Sequence, residues 1–123
     1  IARFVRLMFW NSDPRRPNCF EHYNPFTGEP SAYRGVDDYQ HSWVVDLIVK
    51  YVVGLQPQDE PKLVIDPLPF DLECFVLEGL RYKGHEVAVR WRMGEGLQVW
   101  VDGRLRARRD DLGRIEIALE GER

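Results

Sequence analysis

Residues 20–55 read FEHYNPFTGEPSAYRGVDDYQHSWVVDLIVKYVVGL, a polar segment that is followed by a long apolar one. The polar part, within residues 18–38, contains too many prolines and glycines for a regular element, so it predicts a loop. It also carries four aromatic residues, Phe20, Tyr23, Phe26 and Tyr33. A long loop of this kind is more typical of a binding loop than of a passive linker.

The apolar part predicts a helix over residues 39–53, with Asp37 or Asp38 as the N-cap and Gly54 at the C-terminal end. The polar residues form one narrow stripe, so such a helix must be buried on most of its sides. It is shorter than the roughly 20 residues that cross a bilayer, so we expect protein rather than membrane around it. Many of its residues are β-branched, which leaves a strand over 43–53 as the alternative.

The start of the chain predicts a second helix. Ile1, Phe4, Val5 and Met8 recur at three- and four-residue steps, and Pro14 prevents the helix from continuing. The pattern begins at Ile1 with no targeting signal before it, so we expect a fragment of a longer parent. The partners expected to cover the apolar helix are the missing N-terminal part of the same polypeptide or, in a homodimer, a second copy of the exposed helix.

After residue 55 the pattern changes. Residues 56–62 predict a linker, and residues 63–123 predict an antiparallel β-domain in which apolar and polar residues alternate. Lys83-Gly84 and Asp102-Gly103 predict tight hairpin turns. The predicted strands are 63–69, 74–82, 85–93, 97–102, 104–109 and 114–119. Such successive hairpins indicate a meander or a small sandwich.

Composition excludes several classes of partner. The 123 residues carry a net charge of -3, which argues against nucleic acid because phosphate binding needs a clustered basic face. Cys19, Cys74 and the three histidines show no metal-ligand spacing. We therefore expect no metal, no cofactor, no nucleic acid and no membrane partner.

Glu21 is the candidate for chemistry in the loop. A carboxylate on a stiff loop lined by aromatic residues can activate a water above a sugar ring as a general base. The alternative is an exposed loop acid that caps a backbone turn. The residues alone leave both interpretations open.

The loop motif E-x-Y-N-P-x-T-G-E-P (21–30) and the helix pattern W-V-V-D-L-I (43–48) resemble the closing segment of the catalytic (α/α)6 barrel of trehalase-like glycosidases. The nearest resemblance is to glycoside hydrolase family sixty-three, with its mannosylglycerate hydrolase-like members. Residues 66–91 look like the C-terminal β-domain that follows the barrel in some of these proteins. The resemblance implies an α+β fold: a terminal helical hairpin and active-site loop (1–55), then a small antiparallel sheet or sandwich.

The resemblance also implies an activity and a set of roles. The parent would be an inverting hydrolase of α-linked glucosides, mannosides or related small glycosides, with carbohydrate as its substrate. Glu21 would be the general base; Tyr23, Asn24 and Thr27 would bind sugar hydroxyls, and Trp43 would form an apolar platform. The second carboxylate, roughly 6.5 to 9.5 Å away, would come from an upstream segment, so we expect the fragment alone to be inactive.

A second hypothesis is a non-catalytic carbohydrate-binding or protein-interaction β-module. Trp91 and Trp100 are its candidates for a sugar-stacking face. Trp91 is in phase with the packed residues of its strand, so we expect a core position for it and the same for Trp100.

Overall fold

The computed structural model describes residues 23–27, 44–69 and 71–119. The chain divides into two compact units, Ile1–Ile48 and Val49–Arg123. In the first unit the described residues comprise a turn at 25–27 and the start of a helix. The described part of the second unit is mainly β-structure.

The helix α1, Val44–Leu47, is followed directly by a π-helix, Ile48–Val53. The N–H of Gly54 donates to the carbonyl of Val49 at 3.1 Å, and Gly54 then leaves the helix with a φ of 88°. Val45 is 48% exposed, but the homodimer expected through this helix stays a prediction. No helix within the described ranges has the length and apolar character needed to cross a membrane.

The strands of the described residues form two antiparallel sheets. The first contains β1 (Leu55–Gln56), β2 (Lys62–Ile65) and β7 (Ile115–Ala118) in the order β1-β2-β7. The second is a meander in chain order, and it is the sheet that carries the candidate site. Its strands are β3 (Cys74–Tyr82), β4 (His85–Arg92), β5 (Gly96–Val101) and β6 (Arg104–Arg109).

Two-residue turns connect the hairpins β3-β4 and β5-β6. Lys83 and Gly84 have φ values of 50° and 82°, and Asp102 and Gly103 have φ values of 50° and 73°. Two successive positive φ angles define the type I′ turn, whose twist matches that of the strands it joins. The hairpins expected from these two dipeptides are confirmed.

Apolar residues that alternate along the strands of both sheets form one core cluster. In β4 and β5, Val87, Val89, Leu97 and Val99 have no exposed surface. Burial of this apolar surface is the main favourable contribution to folding. The cluster contains Val53, Leu55, Leu63, Ile65, Val87, Val89, Trp91, Leu97, Val99, Val101, Ile115, Ile117 and Leu119.

The fold class expected from the resemblance is wrong. The described residues contain no helical hairpin of an (α/α)6 barrel; they form two antiparallel sheets, with helical structure only over Val44–Val53. The physical reason is the period-two alternation of buried and exposed residues in β4, β5 and β7, which is the pattern of strands with one buried face. The structure is therefore predominantly β rather than α+β.

Candidate functional site

The side of the second sheet that faces away from the core carries an aromatic residue. Because Leu97, Val99 and Val101 of β5 are buried, Gln98 and Trp100 lie on the opposite side of the strand. Trp100 is half-buried and lies outside the core cluster. We call this side of the sheet the outer face.

The expectation that both tryptophans belong to the core is correct for Trp91 and wrong for Trp100. Trp91 is 8% exposed, and its Nε1 donates to the Leu72 carbonyl at 3.0 Å. Trp100 stands between two buried valines, Val99 and Val101, and strand alternation turns it outward. The alternation of residues along β5 is the sequence signal for this outward orientation. The apolar side chain of Trp100 favours the opposite prediction, a position in the core.

Arg90 and Glu78 hold a charged pair beside the Trp100 ring. The guanidinium Cζ of Arg90 lies 5.6 Å from the centroid of the indole, a cation–π distance. The same guanidinium donates to a carboxylate oxygen of Glu78 in a charge-assisted hydrogen bond. The indole Nε1 is buried and has no hydrogen-bond partner among the described residues. The accessible part of Trp100 is therefore its carbon surface.

Small residues next to Trp100 leave space on the outer face. Ala88 pairs with Trp100 across β4 and β5. On the other side of Ala88, the register between Leu77 and Leu80 shifts in a β-bulge, which inserts an extra residue into β3. A side chain on Gly79 would meet no atom within 4 Å, so this position is open.

Two adjacent hollows open onto the outer face, each of about 300 Å³. The first, the Trp100 hollow, is lined among others by Glu78, Gly79, Glu86, Ala88, Arg90 and Trp100. The second, the Gln98 hollow, is lined among others by Val76, Glu78, Arg90, Arg92, Glu95 and Gln98. Both therefore share the Arg90–Glu78 pair, and the two together offer an aromatic surface beside several hydrogen-bonding groups.

A His–Asp pair fixes the turn at one end of the Trp100 hollow. His85 Nδ1 lies 2.7 Å from Asp102 Oδ2, and Asp102 Oδ1 accepts from the N–H of Glu86 at 2.9 Å. The Asp102 N–H in turn donates to the Glu86 carbonyl at 2.8 Å. The hydrogen bond with His85, and then the one from the Glu86 N–H, lower the pKa of Asp102 below its usual value.

We predict that this pair makes stability depend on pH in the acidic range. Because the folded carboxylate has the lower pKa, its contribution is present above the unfolded value of about 3.9 and is lost as the pH falls through the folded value. Asp102→Asn keeps an acceptor for the Glu86 N–H and tolerates a positive φ, but it removes the charge. Thermal unfolding of the full chain between about pH 2 and pH 6 should therefore show a smaller acid-dependent fall in Tm for Asp102→Asn than for the wild type. Identical pH profiles would contradict the assigned role of the carboxylate.

The residues predicted from the loop motif lie in or beside the short described segment 23–27. Asn24 Oδ1 accepts from the N–H of Phe26 at 2.8 Å and from the N–H of Thr27 at 3.1 Å, so it stabilises its own turn. Tyr23 is half-buried and Thr27 is exposed. The roles in sugar binding assigned to Tyr23, Asn24 and Thr27 stay predictions.

The predicted general base, Glu21, and the predicted platform, Trp43, lie outside the described residues. Their roles also stay predictions. Across the ranges 23–27, 44–69 and 71–119, no group of three or more His, Cys, Asp or Glu side chains has an arrangement that could hold a metal ion.

Comparison with known proteins relates the fold to glycosidases. No family model matches the chain, and no curated protein matches it. A solved structure described as a sialidase is similar, with a TM-score of 0.67 and 25% sequence identity. The match covers 81% of this chain and 10% of the sialidase, so the chain spans about a tenth of that protein.

This similarity relates the β-structure of the chain to a small part of a sialidase, which is a glycosidase. It does not support family sixty-three or an inverting α-glucosidase, the family and activity expected from the loop motif. The two-sheet architecture overturns the barrel of that expectation, whereas the family and the inverting activity have no support from the sialidase match.

Proposed function

We propose that the β-domain within residues 49–119 is a non-catalytic carbohydrate-binding domain of a larger glycoside hydrolase. The observation that carries the proposal is Trp100, an aromatic residue on the outer face with the Arg90–Glu78 pair beside it. The similarity of the chain to a small part of a sialidase supports a glycosidase as the parent.

The chemistry of the outer face suits a sugar. A pyranose ring has an apolar face of C–H groups, which packs on an indole, and a rim of hydroxyl groups, which bind carboxylates, amides and guanidinium groups. Binding sites for small molecules commonly combine an apolar surface with a few placed polar groups. Trp100 supplies the surface, and Glu78, Arg90 and Gln98 supply the polar groups within the two hollows.

The exposed position of the charged side chains on the outer face also favours a role in ligand binding over a role in the core. In the described residues, every fully buried side chain of the sheets is apolar, and the charged side chains of β4 point outward. Exposed ion pairs such as Arg81–Glu86, at 3.7 Å, contribute little to stability. The folded domain therefore depends little on such exposed pairs, and exchange of one of their hydrogen bonds for a hydrogen bond to a neutral ligand costs little stability.

Trp100→Ala should weaken carbohydrate binding at least about tenfold, which corresponds to about 1.4 kcal/mol. NMR chemical-shift titrations of the full chain would test this with glucose, galactose, mannose and N-acetylglucosamine and with disaccharides built from them. Leu68→Ala, which shortens an exposed apolar residue outside both hollows, is the control and should leave the affinity unchanged.

A second variant separates loss of binding from loss of folding. Trp100→Phe keeps an aromatic surface and removes the buried Nε1 that lacks a partner, so it should fold at least as well as Trp100→Ala. It should also retain part of the affinity. Equal sugar affinity in the wild type and Trp100→Ala, or no binding of any sugar in the panel, would contradict the proposed function.

A further inference from the structure

The two hollows on the outer face are placed as neighbouring subsites. Trp100 and Gln98 are two residues apart on β5 and on the same side of the strand, so their Cα atoms are separated by about 7 Å. This separation is comparable with the length of one sugar unit in a linear chain. The Arg90–Glu78 pair lines both hollows and so lies where the two units would meet.

The polar groups differ between the two hollows. In the Trp100 hollow the indole forms an apolar wall. In the Gln98 hollow the half-buried amide of Gln98 lies among charged groups, with the exposed Val76 and the almost fully buried Trp91 as apolar neighbours. The Trp100 hollow is thus suited to stacking a ring, whereas the Gln98 hollow is suited to hydrogen-bonding the hydroxyls of the next unit.

The charges of the hollows indicate a neutral ligand. Glu78 and Glu86 outnumber Arg90 in the Trp100 hollow, whereas Glu78 and Glu95 balance Arg90 and Arg92 in the Gln98 hollow. Both arginines also have a carboxylate partner, since Arg90 binds Glu78 and Arg92 Nε lies 3.5 Å from Glu95 Oε1. An acidic sugar would have to break such a pair and would meet the remaining carboxylates.

One further arginine lies close by and is also engaged. Arg108 pairs with Gln98 across β5 and β6, and its Nη2 donates to the Glu95 carbonyl at 3.1 Å. It does not line either hollow. The arginines of this part of the outer face therefore do not form an open anion site.

We infer that the outer face binds two consecutive units of a neutral oligosaccharide, one in the Trp100 hollow and one in the Gln98 hollow. The inference rests on the proposed function and adds to it the length and the charge of the ligand. A sugar acid, including sialic acid, is the alternative that the charges disfavour.

The test compares sugars of different length and charge on the full chain. Affinities for glucose, maltose and cellobiose, and for sialic acid and sialyllactose, would be measured by NMR titration in the wild type, Gln98→Ala and Trp100→Ala. We expect a neutral disaccharide to bind at least about tenfold more tightly than glucose. Gln98→Ala should remove most of that gain, whereas Trp100→Ala should weaken the binding of glucose and of the disaccharide alike.

Each result decides a different claim. Equal affinity for mono- and disaccharides would overturn the two-subsite inference, and so would a Gln98→Ala variant that still binds the disaccharide as tightly as the wild type does. In either case, binding that depends on Trp100 would still support the proposed function. Tighter binding of sialic acid than of glucose would overturn the inference that the ligand is neutral. If none of the sugars bound, the proposed function itself would fail.

Discussion

Gly54→Ala should lower the free energy of unfolding of the β-domain by about 3 to 5 kcal/mol, the combined cost of overpacking and of a positive φ. Gly54 ends the π-helix with a φ of 88°, and an added Cβ would lie 2.2 Å from the backbone nitrogen of Pro67. The Gly54 carbonyl also accepts from the N–H of Asp66 at 2.7 Å, so the two segments cannot separate without losing a hydrogen bond. In a domain of this size Tm should fall by at least about 12 °C, measured by circular dichroism or calorimetry.

Gly94→Ala is the matched control for this prediction. Gly94 has a φ of 83°, close to that of Gly54, but an added Cβ would meet no atom within 4 Å. It should therefore cost only the strain of the left-handed conformation, about 1 kcal/mol. Equal losses of Tm in the two variants would show that the close contact with Pro67 does not exist in solution.

Leu97→Ala should cost about 2 to 5 kcal/mol of stability because it opens a cavity in the core. Leu97 has no exposed surface, lies in the core cluster and pairs with Trp91 across β4 and β5. The loss should appear as a lower midpoint of urea unfolding with an unchanged slope.

Leu105→Ala makes the same chemical change on the outer face of the neighbouring strand. Leu105 is 47% exposed and pairs with Trp100. Its removal should cost less than about 1 kcal/mol. A larger loss of stability for Leu105→Ala than for Leu97→Ala would contradict the assignment of the core to the side of the second sheet that carries Leu97.

Alternation predicted much of the second sheet. The strands predicted over 74–82 and 104–109 coincide with β3 and β6. β4 ends one residue earlier than the predicted strand 85–93, and β5 is shifted by one residue relative to the predicted strand 97–102. The glycine in each of the dipeptides Lys83-Gly84 and Asp102-Gly103 favours the hairpin because glycine adopts a positive φ without steric cost, and Asp102 is of a residue type that tolerates one. These signals are local, so a single sequence is enough to detect them.

The predictions that failed concern features that depend on residues distant in the sequence. The apolar pattern of Val44–Val53 predicts a helix that other residues must cover, but it does not identify those residues, and the short loop motif does not specify a barrel by itself. The bulge that places Gly79 beside Ala88 depends on the register with β4, which the sequence of β3 does not encode by itself. Trp100 is a candidate for sugar stacking from the sequence alone, but the residues around it in the two hollows are not predictable without the register of the sheet.

Sugar binding at the outer face of the second sheet can be observed residue by residue. The most direct measurement is a map of amide and indole shifts in the ¹⁵N-labelled full chain during titration with maltose and with cellobiose. We expect the largest changes at Glu78, Ala88, Arg90, Gln98 and Trp100 for at least one of the two, while the amides of Leu63 and Ile117, which are buried in the first sheet and line neither hollow, change little. Changes confined to other parts of the chain, or no changes with either sugar, would contradict the account.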